Sequence, residues 1–204
     1  MATEGWSWAD TDDPDGATPL EDEDRDGLKP TWIATRSDLN NAEAANIAQA
    51  LRARRWSRLS ASELLDDLCL RQLHLAMFGD VWRWAGSYRL SEKNIGADPR
   101  YIAVKVRDLV NDTALWIQGN HMSVDEVGAR FHRDLVAIHP FVNGNGRHAR
   151  AATDLLLASV GARPFTWGAD SVLGDAPSVR ASYIAALRAA DGGDYAPLLR
   201  FVRS

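Results

Sequence analysis

No run of apolar residues in this 204-residue chain approaches the roughly 18 to 20 needed to cross a bilayer. The first residues, MATEGWSWADTDD, are acidic and have no apolar centre, so a secretory leader is not expected there. A single cysteine, Cys69, excludes an internal disulfide, and its setting, LLDDLCLRQLHL, reads as the buried face of a helix. Internal repeats and low-complexity segments are absent. So is any clustered basic helix of the kind that reads DNA. The histidines at 74, 121, 132, 139 and 148 show no metal-ligand spacing. These absences point to a cytoplasmic protein with no membrane or direct nucleic-acid contact.

The composition, 46% hydrophobic and 25% charged, is that of one globular domain. The net charge of −5 is unevenly placed. Residues 1–28 hold ten acids and one base, a net of −9, while residues 29–204 hold 22 bases and 18 acids, a net of +4. Residues 1–30, broken by Pro14, Gly16, Pro19, Gly27 and Pro30, read as an acidic arm, flexible or wrapped on the surface, with Trp6 and Trp8 as candidate anchors. The mildly basic body suits an anionic ligand.

Apolar spacing predicts helices over 36–55, capped by Ser37 or Asp38, and over 61–78, capped by Ser62. Residues 80–104 differ, with aromatic and β-branched residues broken by Gly86, Gly96 and Pro99. A short β-hairpin or extended flap is expected around Tyr88–Ile95. Helix resumes over 103–118. Ser123 and Glu126 form a capping-box pattern ahead of Val124, Val127, Phe131, Leu135 and Ile138, expected as one buried stripe. A further helix closes at Gly161, and one or two more cover 178–203. The expected architecture is mainly α with one small β element.

The densest chemistry lies in HPFVNGNGRHAR, His139 to Arg150. Pro140 should stop one helix, and the next should begin near Asn145–Arg147. Gly144 and Gly146 free the backbone to turn N–H groups toward one point at a helix N-terminus, an anion cradle. Arg147 and Arg150 share a helical face beside it and can fork phosphate oxygens. His139 at the rim can take a proton near neutral pH. The set suggests transfer of a phosphorus-centred group to a hydroxyl.

That stretch resembles the signature of the Fic family, His-Pro-Phe-x-(Asp/Glu)-Gly-Asn-Gly-Arg-x-x-Arg, and departs from it at one position. WRWAGSYRLSEKNIG is similar to the family's flap, and YIAALRAADGGDYAPLLRFV to its C-terminal helices. The likeness runs over residues 32–204, so the chain divides into the arm, 1–30, and a Fic domain, 31–204. Within the family it most resembles the mobile mystery protein B subgroup, a resemblance that brings with it a helix-turn-helix partner protein and a toxin–antitoxin-like setting. The resemblance implies a Fic-type helical bundle with a small β-hairpin flap, and transfer of AMP from ATP to a Ser, Thr or Tyr hydroxyl of a target protein. His139 would be the general base and Phe141 the loop's anchor. Gly144, Asn145 and Gly146 would form the anion hole. Arg147 would hold the α- and β-phosphates, and Arg150 the far end of the triphosphate. The flap residues Lys93, Asn94, Ile95, Gly96 and Ala97 would pair with the target as an added strand.

The departure is Asn143, where the family carries a carboxylate that ligates Mg²⁺. A neutral oxygen should weaken that metal site and slow, abolish or change the activity. The family's inhibitory helix, whose glutamate pairs with the second motif arginine, has no full match. Glu43 in DLNNAEAANIAQAL is the nearest candidate, against the plain reading of an exposed helical glutamate. Two alternatives stay open: a weakened nucleotide-binding module that acts through a partner, and an enzyme transferring another phosphate-containing group. Hydrolytic removal of AMP requires that Glu43 reach the site.

Overall fold

The amphipathic stripe predicted between Ser123 and Pro140 becomes the central helix of the protein. The computed structural model describes residues 25–168 and 177–204. Its helices are α1 (Arg36–Leu51), α2 (Ala61–Leu64), α3 (Asp67–Phe78), α4 (Ile102–Gly119), α5 (Val124–Ile138), α6 (Asn145–Ser159), α7 (Pro177–Asp191) and α8 (Ala196–Val202). Val127, Phe131, Leu135 and Ile138 turn inward on α5, which packs between α4 and α6, while Val124, expected in the same stripe, sits in the first turn and is exposed. α1 lies along α3, and α7 along α8. The larger apolar core joins α1, α3, α4, α5 and α6, with Phe78, Trp82, Phe131 and Leu156 almost fully enclosed. A smaller one joins Ala129 and Leu157 to Phe165, Trp167, Leu187, Leu198 and Val202. Cys69 is half-buried against the larger core, and burial pushes its thiol up, as fits a structural cysteine.

Local capping set the boundaries more finely than periodicity did. Thr35, outside the expected Ser37 or Asp38, is the N-cap of α1, and Asp38 completes a reciprocal capping box with it. Ser60, in place of Ser62, caps α2 and pairs with Glu63 in the same way. The single helix expected over 61–78 is two. Asp66 leaves the helical conformation and accepts the Cys69 N–H at 3.0 Å, restarting the chain as α3. Ser123 accepts the Glu126 N–H at 3.1 Å, while the Glu126 carboxylate turns to Arg130, four residues on.

The expected β-hairpin does not form among the described residues. The backbone of the 89–97 segment bonds to the end of α5 and the turn after it rather than forming a ladder of its own: the Arg89 N–H donates to the Pro140 carbonyl at 3.0 Å, and the Ala97 N–H to that of Ile138 at 3.1 Å. The reason is in its side chains. The Arg89 guanidinium occupies the carbonyls that a hairpin ladder would use, and Gly96 turns the chain at φ +108°. The one β contact among the described residues is an isolated antiparallel bridge, Leu28 to Trp82. It belongs to the arm's end. Lys29 donates to the Val81 carbonyl and Arg83 to that of Gly27, both at 2.8 Å, so residues 25–29 lie against the body. The remainder of the arm, residues 1–24, with Trp6 and Trp8, lies outside the described residues. Among those described, no helix is long and apolar enough to cross a membrane.

Candidate active site

α5 ends where Pro140 forbids further helix. His139, one residue before it, takes the left-handed conformation, φ 53° and ψ 60°. A non-glycine residue there carries strain of order 1–3 kcal/mol, so surrounding contacts must hold it. Its N–H closes the helix on the Leu135 carbonyl at 3.2 Å, and its own carbonyl accepts the Arg89 Nε–H at 2.7 Å. The imidazole is buried. That burial pulls it down to about 4; the charges of Arg89 and Lys93 push the same way, and the Val136 carbonyl opposes them. His139 is therefore in the neutral form at pH 7, the form a general base requires.

The loop after it is stapled from within. Phe141 is almost fully enclosed and stacks on His74, ring centroids 3.7 Å apart. Burial of such a ring is worth about 1.5–3 kcal/mol. The Asn145 amide grips Phe141 on both sides: Oδ1 accepts its N–H at 2.9 Å, and Nδ2 donates to its carbonyl at 2.8 Å. Asn145 thus offers a ligand its backbone and not its side chain. His74, buried on α3, accepts the Gly86 N–H on Nδ1, which leaves the proton on Nε2 to reach the Asn143 carbonyl at 3.1 Å. Gly144 turns the chain into α6 at φ +77°, with Phe78 beneath it. A Cβ on Gly146, by contrast, would meet no protein atom within 4 Å. The cradle opens on that side.

Both motif arginines stand on the first turns of α6, and they have different neighbours. Arg147 lies over the Phe78 ring, and its Nη2 meets Glu43 Oε2 at 2.8 Å. Glu43 is 3% exposed, so the exposed helical glutamate is overturned. It lies on the inward stripe of α1 with Leu39, Asn46 and Ala50, and its second oxygen accepts the Trp82 indole N–H at 2.7 Å. Its partner is the first motif arginine, where the family pattern implied the second. Arg150 lies over Tyr183, and its Nε is buried without a hydrogen-bond partner. Tyr183 bonds to the buried His132. Asp154, four residues after Arg150 on α6, accepts the Trp167 indole and the Phe165 N–H, and burial raises it to about 6.

The Asn143 side chain is engaged within its own loop. Its Oδ1 accepts the Gly144 N–H at 2.5 Å. Among the described residues, no three His, Cys, Asp or Glu side chains converge as ligands. A lone neutral amide, already engaged, does not fit a resident Mg²⁺, which favours carboxylates and phosphates. The flap residues Asn94, Ile95 and Gly96 are exposed, and Lys93 and Ala97 partly so.

Four contributors escaped sequence reasoning: Arg89, Trp82, His74 and His148. His148, which reads as incidental within the motif, is fully buried and reaches the Leu70 carbonyl at 2.9 Å. His74 was discoverable, since it shares the inward stripe of α3 with Leu70, Leu73 and Met77. Arg89 carried no such signal.

Residues 65–157 match the model of the Fic/DOC family. Over 181 residues the chain is 28% identical to "Protein adenylyltransferase fic-1" of Caenorhabditis elegans, covering 83% of this chain and 33% of that protein. It therefore spans about a third of that curated relative's length. It superposes on a variant of Fic-1 from C. elegans with a TM-score of 0.59 at 25% identity, over 86% of this chain and 50% of that one. BepC from Bartonella tribocorum, solved with bound AMPPNP, gives a TM-score of 0.66 at 17% identity over 86% and 90% of the two chains, a likeness of fold.

Proposed function

We propose, on the premise that this chain carries a Fic/DOC family domain in a mainly α, Fic-type fold, that it transfers AMP from ATP to a hydroxyl of a target protein. The observation that carries the reading is the adjacency, on one tight loop, of a buried neutral His139, a glycine-framed helix start open at Gly146, and two arginines on the first turns of α6. His139 accepts the proton of the attacking hydroxyl. The hydroxyl oxygen bonds to the α-phosphorus, and pyrophosphate leaves. Backbone N–H groups of Asn145 and Gly146, and that of Gly144 once it leaves Asn143 Oδ1, face the phosphates, Arg147 takes the α- and β-phosphates, and Arg150 the far end. The flap, Lys93 to Ala97, pairs with the target and presents its Ser, Thr or Tyr. The relative's name, and the nucleotide held by BepC, support this chemistry.

The protein itself contributes little to a metal site, so Mg²⁺ would enter on the triphosphate, with Asn143 at most a weak ligand. Membership of the mobile mystery protein B subgroup, and with it a helix-turn-helix partner, belongs to the same proposal. The test is direct. Purified protein with α-labelled ATP and Mg²⁺ should label itself or a lysate protein, and His139→Ala should abolish the label. Label that persists in the variant removes His139 from the chemistry. A second reading, hydrolytic removal of AMP, draws on the arrival of Glu43 at Arg147. Loss of label from a pre-modified target on adding the protein would favour it.

A further inference from the structure

Arg89 is 2% exposed, and its hydrogen-bond partners are neutral backbone carbonyls. Nε donates to His139 at 2.7 Å, Nη1 to Ser91 at 2.8 Å and Nη2 to Ala97. A guanidinium is costly to bury: burial lowers its pKa, and the nearby carboxylates of Asp98 and Glu92 oppose that shift without hydrogen-bonding to it. The contacts it makes are correspondingly specific. They join three points: the strained residue that closes α5, the start of the flap and the flap's far end. Backbone bonds run beside them, Arg89 to Pro140 and Ala97 to Ile138. Gly96 fits into the same junction so tightly that a Cβ would lie 2.6 Å from the His139 Cβ and 2.7 Å from Arg89 Nη2.

We propose that Arg89 is a positioning residue of the transfer site, locking the flap and the His139 backbone into one rigid register, with Gly96 as the contact through which the two meet. This rests on the reading of His139 as base and of residues 93–97 as the target's docking strand. A hydroxyl presented by a strand paired to the flap then arrives at a fixed offset from the imidazole, whatever the rest of the target looks like. The planar fork is what spans three carbonyls at once. A lysine ammonium keeps the charge and lacks that geometry.

Three variants of the full chain, Arg89→Lys, Arg89→Gln and Gly96→Ala, test this with three readouts. These are AMP transfer from labelled ATP, ATP affinity by calorimetry, and amide hydrogen exchange. In Arg89→Lys and Gly96→Ala, kcat for transfer should fall about 100-fold. The Kd for ATP should stay within about twofold, because Arg147, Arg150 and the glycine turn are untouched. The Ala97 amide should exchange at least about tenfold faster, with α5 and α6 core amides unchanged. A transfer rate in Arg89→Lys equal to wild type would overturn the proposal. So would loss of ATP affinity and core protection in step with activity, which marks a merely structural residue. Should Arg89→Gln fail to fold, the other two variants decide. Should wild type transfer no label, the AMP reading fails separately, and Ala97 exchange judges the junction alone: unchanged protection in both variants overturns it.

Discussion

The carboxylate of Glu43 bridges two residues, meeting Arg147 Nη2 at 2.8 Å with one oxygen and the Trp82 indole with the other. The pair engages Nη2 of Arg147 and neutralises its charge, so it competes with a phosphate for this arginine. A charge-assisted hydrogen bond of this kind is worth about 1.5–3 kcal/mol. Glu43→Gly should therefore tighten ATP binding by roughly 10- to 100-fold and raise labelling at low ATP. The same change strands the Trp82 N–H in the core, at a cost of about 1–3 kcal/mol, so the variant should melt earlier while working faster. Calorimetry and thermal unfolding together check this. Unchanged affinity with the lower melting point would make Glu43 a strut only.

Asn143→Asp should restore what the loop lacks. The Oδ1 already points at the Gly144 N–H, so a carboxylate keeps that bond while adding charge beside the helix start. Transfer should rise and depend more steeply on Mg²⁺, by about tenfold at millimolar metal if two charged oxygens replace one neutral one. Magnesium titrations of wild type and variant, with ATP fixed, read this out. Equal curves would mean that the nucleotide alone governs metal binding.

The helices and the loop were legible because their causes are local. The stripe Val127, Phe131, Leu135, Ile138 writes α5, Pro140 ends it, and Gly144 admits the positive φ that starts α6. The flap's contacts and the site's supports were not, because they are pairings across distance. Trp82 reaches Glu43 across 39 residues, Arg89 reaches His139 across 50, His74 reaches Asn143 across 69 and His148 reaches Leu70 across 78. No periodicity encodes which buried polar group meets which carbonyl. The hairpin expectation failed for this reason: aromatic and β-branched residues broken by Gly86, Gly96 and Pro99 suggest extended chain but do not name its partner, which is the end of α5 and Pro140.

Acid should unfold this protein early. Burial pulls His132 down to about 3, and His139 and His148 to about 4. A histidine whose folded pKa lies below its unfolded value of about 6.5 binds more protons when unfolded, so its stability is intact above pH 6.5 and is lost as pH falls toward 4. Between pH 7 and pH 5 each such group costs roughly 2 kcal/mol. Asp154, raised to about 6, acts in the opposite sense, returning about 1 kcal/mol over the same range. The histidines prevail by number, and the melting temperature should fall steeply between pH 6.5 and 5. A flat profile there would show that these imidazoles charge without unfolding.

Two glycines of one turn should separate fold from ligand. At Gly144 the backbone sits at φ +77°, and a Cβ would lie 2.5 Å from the Phe78 ring. Gly144→Ala should cost about 2–4 kcal/mol through strain and overpacking, and the variant should melt well below wild type. Gly146 begins α6 facing open space, with no protein atom within 4 Å of an added methyl. Gly146→Ala should leave stability unchanged or raise it by up to about 1 kcal/mol, since alanine favours helix. If phosphates approach the backbone there, that methyl stands in their way, and ATP affinity should drop by about tenfold or more. Thermal melts set beside ATP calorimetry decide the matter. A Gly146→Ala protein that is stable and binds ATP like wild type would move the phosphates away from this turn, and with them the proposed role of the cradle.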